Sequence, residues 1–210
     1  MKIADCHMHS FFSSDSETPT EDMVKRAIEL GLPAICLTDH YDMDYNTGEF
    51  QLDTPKYAEK IRELQEKYRE KIEIRFGVEL GLQLHLKERM EKYVTMWPFD
   101  YIIGSMHVID GKDPYYEDAF PDWTAEELYR AYFRATAENI RSFHHFQTLG
   151  HLDYVVRYGK EKSRAYSYRT FSDEIDAILK ELIQHDIALE INTGGYKAGL
   201  GVPNPTPDVI

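Results

Sequence analysis

The feature that most constrains this chain is where its apolar runs stop. Residues 3–9, 34–38, 72–80, 99–104, 148–153 and 187–191 read as short strands separated by helix-period segments, and nearly all of them end in His, Asp or Glu. The ends are His7-Met8-His9, Asp39-His40, Gly77-Val78-Glu79, Ser105-Met106-His107 and Gly150-His151-Leu152-Asp153, and the last run finishes near Asn192-Thr193-Gly194-Gly195. Alternating strand and helix signals imply parallel strands joined by crossovers, which makes the chain an α/β protein. In such a fold the carboxyl ends of the strands share one face, so their polar residues are expected to meet there.

The helices follow from equally local signals. Thr18-Pro19-Thr20-Glu21-Asp22 starts one, Met23, Ala27, Ile28 and Leu30 carry its apolar side, and Gly31 closes it. Further helices are predicted over residues 55–70, 85–96, 124–143 and 171–185, while residues 199–210, with three prolines, show no helix signal. Asp42, Asp44, Asn46 and Gly48 read as a polar loop. There is no internal repeat and no linker, and 210 residues suit a single core, so one domain over residues 1–210 is expected.

Residues two apart on a strand point the same way, so His7 and His9 face one cavity, with Asp5 in register behind them. An H-x-H alone is a weak metal signal. Glu79 strengthens it, because a carboxylate closing the apolar run Ile74, Phe76, Val78 is costly to bury unless it is paired or binds a cation. His107 and His151 each allow a plain core reading, but several such ends arriving together favour a metal site. Imidazole mixed with carboxylate suits zinc, manganese or iron rather than magnesium or calcium.

These ordered motifs, with Asp15 after His9-Ser10 and Leu189-Glu190-Ile191-Asn192-Thr193 near the end, resemble the PHP (polymerase and histidinol phosphatase) superfamily, and most of all its histidinol-phosphatase-like branch. The resemblance spans nearly the whole chain. It implies a distorted (β/α)7 barrel with two to three divalent metal ions (zinc, iron or manganese) and hydrolysis of a small phosphomonoester by hydroxide held among them. L-histidinol phosphate, an intermediate of histidine biosynthesis, is the substrate it suggests. By the same resemblance His7 and His9 hold one metal, Glu79 bridges, Glu79, His107 and His151 hold the second, and Asp15 and His40 contribute to the third. Glu79 and His107 then count as catalytic. The family pattern closes with an Asp-x-His on its last strand, whereas this sequence reaches Ile210 without one. The expectation is therefore a barrel incomplete at its C-terminal end, short of ligands at the third metal, with an open sheet edge that favours a homo-oligomer. A phosphodiesterase or exonuclease of the same superfamily, or a truncated metal-binding domain without activity, is the alternative.

Substrate-side candidates are fewer. Arg157 could fork onto a phosphate and join the catalytic set, or simply sit in solvent. Lys197 is a second basic candidate, Asp42 could approach a cationic amine, and Phe11 and Phe12 could wall the pocket or pack in the core. His85, His144, His145 and His185 lie off the strand ends and read as structural or exposed. A net charge of −13 argues against a nucleic-acid partner, although bound divalent cations would offset part of it. No apolar run is long enough for a membrane span, no secretory leader is visible, and Cys6 and Cys36 read as buried free thiols, so a cytoplasmic setting is expected.

Overall fold

The computed structural model describes residues 4–45, 48–116, 118–158 and 166–210. The chain divides into two compact units, one formed by Met1–Leu80 with Tyr93–Ile103 and the other by Gly81–Lys92 with Gly104–Ile210. The α/β class is as the sequence predicts.

In the first unit α1 (Thr20–Glu29) carries Glu21 and Asp22 in its first turn, where acidic groups favour the helix dipole, and buries Val24 and Ala27. Gly31, at φ 72°, supplies the left-handed residue that ends it. β1 (Ala34–Leu37) and β2 (His40–Tyr41) run parallel to β3 (Glu73–Gly81), with Leu37 beside Phe76 and His40 beside Glu79. α2 (Thr54–Tyr68) is capped by Asp53, whose side chain accepts the Lys56 N–H, and buries Tyr57, Ile61, Leu64 and Tyr68 along one stripe. The Tyr57 hydroxyl donates to the Leu37 carbonyl at 2.7 Å, which fixes α2 over β1. Gly77 leaves no room for a side chain: a Cβ there would stand 2.5 Å from Cys36 Sγ and 2.9 Å from the Tyr101 carbonyl.

α3 (Lys87–Met96) follows a 3-10 turn over Leu84–Leu86, and β4 is Tyr101–Ser105. In the second unit α4 (Ala125–Ser142) begins with a reciprocal cap, Thr124 to the Glu127 N–H and Glu127 back to the Thr124 N–H. It packs against α5 (Ser172–Gln184) through Tyr129, Phe133 and Phe171 on one side and an ion-pair cluster on the other. In that cluster Glu174 accepts Arg130 at 3.0 Å and Arg134 at 3.0 Å. β5 (Thr148–Leu149) is parallel to β6 (Ala188–Leu189). The short helix α6 (Gly194–Lys197) leads into the proline-rich tail, which turns back so that Asn204 bridges Asn192 and Asn204 Nδ2 donates to the buried Asp153 carboxylate at 2.6 Å.

Several expected strands are shorter than their apolar runs. Of residues 3–9, Ile3 lies outside the described residues and only Asp5 forms a bridge, to Ile35; the segment runs beside β1 through Cys36 N–H to the Asp5 carbonyl and Thr38 N–H to the Met8 carbonyl. The run 148–153 keeps two residues as strand because Asp153 turns away to start a 3-10 turn, Tyr154–Arg157. Asn46 of the polar loop also falls outside the described residues. The tail has a short 3-10 turn at Pro207–Val209. Cys36 is buried but Cys6 is only half-buried.

Candidate metal centre

In the first unit the sequence brings a carboxylate and three imidazoles onto one point. Parallel register places His40 beside Glu79 on the neighbouring strand, and the extended segment before β1 carries His7 and His9 toward the same position. Glu79 Oε2 then stands 3.2 Å from His7 Nε2, 3.0 Å from His9 Nε2 and 3.1 Å from His40 Nδ1, with the Glu79 side chain fully buried. His9 Nδ1 lies 3.0 Å from Asp15 Oδ2, and the donor atoms of His9, Asp15 and His40 form a cluster able to hold a cation. Asp42 Oδ2 is 3.2 Å from His40 Nδ1 and its side chain is buried.

The geometry suits a metal better than a hydrogen-bond network. His9 Nε2 is buried and makes no hydrogen bond although Glu79 Oε2 is 3.0 Å away, so the two atoms are not aligned on each other. Donors that share an ion at about 2.0–2.2 Å stand about 3.0–3.5 Å apart, which is the spacing seen here. The electrostatics agree. Burial disfavours a charged His9, yet the Asp15 hydrogen bond and the adjacent Glu79 carboxylate overcome it and push its pKa up to about 9. Burial likewise opposes ionisation of Asp15, but the His9 contact prevails and holds its carboxyl below the usual range. Ionised carboxylates that stabilise a protonated His9 would stabilise a metal cation in place of that proton.

A second layer fixes this cluster. Asp39 is fully buried and accepts Ser10 N–H at 2.7 Å, Ser10 Oγ at 2.9 Å and Ser13 Oγ at 2.8 Å. Ser13 Oγ accepts the His40 N–H at 2.8 Å, and the Asp5 carboxylate accepts the His7 N–H at 3.2 Å. Burial pushes the Asp39 pKa up despite the three hydrogen bonds.

Within the second unit His107 and His151 are both buried, with ring centroids 5.5 Å apart. The His151 N–H donates to Glu190 Oε2 at 2.7 Å, and Glu190 also accepts Asn192 Nδ2. Arg157 is half-buried and held in place: Nε donates to Asn204 Oδ1 at 2.8 Å, Nη2 donates to Asn192 Oδ1 at 3.1 Å, and the guanidinium lies over the Tyr154 ring. Lys197 is exposed on α6. Phe11 is exposed, whereas Phe12 packs on the Tyr57 ring at the core. His85 and His145 are exposed, and His144 stacks on His185 at 3.8 Å, in keeping with structural or exposed roles.

The sequence reading placed Asp42 in a polar loop, able to approach a cationic amine, whereas the structure turns its side chain inward. The carboxylate is buried because His40 and Asp42 alternate on the same side of an extended stretch. That is the period-two signal already visible in His7 and His9, and it would have found Asp42 too.

The PHP domain family model matches residues 5–194. A histidinol-phosphatase from Lactococcus lactis is 35% identical over 92% of this chain and 72% of its own length. A Clostridium acetobutylicum protein, named a probable histidinol-phosphatase, is 31% identical over 91% of this chain and 73% of its own length. The crystal structure of histidinol phosphate phosphatase from Lactococcus lactis, complexed with zinc, L-histidinol and phosphate, superposes with a TM-score of 0.89 and 34% identity, over 93% of this chain and 75% of that one. A Listeria monocytogenes structure at 17% identity and TM-score 0.85, over 99% of this chain and 89% of its own, shares the fold. Strand-end ligands, α/β architecture and matches across both compact units lead to one assignment: the chain belongs to the PHP domain family.

Proposed function

We propose that this chain is a metal-dependent phosphomonoesterase that hydrolyses L-histidinol phosphate to L-histidinol and phosphate, and that residues 1–210 act as one PHP-type domain. The observation that carries the reading is the single carboxylate oxygen of Glu79 with three imidazole nitrogens at 3.0–3.2 Å. That donor set fits zinc, iron or manganese, and two to three ions are proposed. His7, His9, Asp15, His40 and Glu79 supply ligands in the first unit, and His107 and His151 supply ligands in the second. Bound there, divalent ions would lower the pKa of water to give a nucleophile and offset charge on the phosphoryl oxygens.

The chain's own residues prepare that chemistry. Glu79 contributes the buried negative charge that keeps cations in place, and Asp39 with Ser10 and Ser13 holds His40 and the segment bearing His9 in position. Glu190 fixes the backbone of His151. Arg157, oriented by Asn192 and Asn204, is proposed to face the phosphate with its remaining donor capacity, and His107 is proposed to act beside the reacting group.

The first test is release of inorganic phosphate from L-histidinol phosphate by zinc- or manganese-loaded protein. Turnover of other monoesters with none of this one would overturn the substrate. A cytoplasmic setting is proposed from the two free cysteines, together with a homo-oligomer that sedimentation would detect. No helix among the described residues is long and apolar enough to cross a membrane.

A further inference from the structure

The second unit carries a row of tyrosines that the reaction chemistry does not use. Tyr154 leaves the His151 strand end in a 3-10 turn, and its ring packs on His107 at 5.6 Å and on His151 at 5.1 Å. On its other side Tyr158 meets it at 5.0 Å, and Tyr115 meets Tyr158 at 5.3 Å. The planes are inclined by 62° and 74°, so successive rings meet edge to face, and Tyr116 lies against Tyr115 at 5.2 Å. Tyr115, at the far end of the row, is 57% exposed and is separated from the buried imidazoles by Tyr158 and Tyr154.

The Tyr115 position is built rather than incidental. Asp110 and Gly111, at φ 50° and 72°, make a two-residue turn closed by paired Ile109 and Lys112 backbone hydrogen bonds of 2.9 Å. The chain therefore returns in a fixed direction, and Asp113 Oδ1 accepts the Tyr115 N–H at 2.8 Å. The Asp113 side chain is itself buried beneath this turn. Three aromatic rings thus run in contact from the His107 and His151 imidazoles to an exposed edge, where Asp113 holds the Tyr115 backbone.

We propose that Tyr115, Tyr158 and Asp113 form the subsite for the leaving-group end of the substrate, selecting phosphomonoesters whose alcohol carries a flat heteroaromatic ring and a cationic nitrogen. Tyrosine faces attract a cation and stack a planar ring, and a nearby carboxylate adds attraction for positive charge while disfavouring an anionic tail. The inference rests on the phosphomonoesterase reading above, and it explains how the site distinguishes one ester from another rather than how it cleaves it.

The test uses the full metal-loaded chain with Tyr115→Ala, Tyr115→Phe, Tyr158→Leu and Asp113→Asn. For each, kcat and KM are measured with L-histidinol phosphate and with glycerol phosphate, and L-histidinol binding is followed by calorimetry. The expected result for Tyr115→Ala and Tyr158→Leu is a KM for L-histidinol phosphate raised about tenfold, the scale of one lost cation–aromatic contact, with a matching loss of L-histidinol affinity. Tyr115→Phe should retain the affinity, because it keeps the ring, and Asp113→Asn should narrow the preference for the cationic ester. Parallel losses on both esters, or unchanged L-histidinol affinity in all variants, would overturn the subsite. Should the wild type bind L-histidinol and the alanine variant not, while neither ester is hydrolysed, the subsite stands and the phosphomonoesterase reading falls.

Discussion

Asp39 accepts a hydrogen bond from Ser13 Oγ at 2.8 Å, and that same oxygen accepts the backbone N–H of His40 at 2.8 Å. A carboxylate outside the candidate ligand set thereby sets where His40 stands. With Ser10 bound through both N–H and Oγ, it also fixes the turn that follows His9. Replacing Asp39 with Ala leaves these buried donors unpaired and should cost about 2–4 kcal/mol of stability. Asp39→Asn keeps one acceptor and should cost less. Denaturant melts measure both, and equal stability of the three proteins would contradict the arrangement.

Glu79→Gln preserves shape but removes the charge that three imidazoles share. The expected outcome is a loss of at least one bound metal per chain by elemental analysis, with phosphatase activity falling about a hundredfold or more. Full metal content in the variant would remove Glu79 from its bridging role.

Much of this centre was legible in the sequence, and the reason is local. His7, His9 and Glu79 each sit at a fixed offset on an extended run, and extended runs have a period of two that survives even where the strand ladder does not form. Residues 4–9 show this: among the described residues of the run only Asp5 bridges, yet His7 and His9 still reach Glu79. What sequence could not give is contact at long separation. Arg157 reads as a loop side chain until Asn204, 47 residues later, takes its Nε–H. Asp153 looks like a strand end until Asn204 and Thr206 satisfy it in the interior. Strand lengths were over-read for the same reason, because an apolar run records burial and says nothing of which neighbour closes the ladder.

Gly77 is held to glycine by its neighbours rather than by its torsion angles. An added Cβ would meet Cys36 Sγ at 2.5 Å, Thr38 Cγ2 at 2.8 Å and the Tyr101 carbonyl at 2.9 Å, and the last of these is backbone that cannot rotate away. Gly77→Ala should destabilise the protein by about 1–3 kcal/mol, the usual cost of overpacking. Glu79 lies two residues on along β3, so metal affinity should fall as well. A thermal melt and a metal titration of the variant check the two effects independently.

Glu174 gives a pH dependence whose sign is fixed. Burial opposes its ionisation, but the Arg130 and Arg134 guanidinium groups prevail and hold its pKa below the ordinary glutamate value. The unfolded chain therefore takes up the proton first as pH falls, so this contribution is fully present above the unfolded pKa and is lost as pH drops through the folded one. Because Arg134 is exposed, solvent screening keeps the contribution of this cluster small at neutral pH. Stability measured by urea melts between pH 7 and 3 should decline more steeply in the wild type than in Glu174→Gln, which lacks the titrating group. The two curves should converge at the acid end, where the wild-type carboxyl is neutral as well. Parallel curves across the whole range would mean that the α4–α5 contact is held by Tyr129, Phe133 and Phe171 alone.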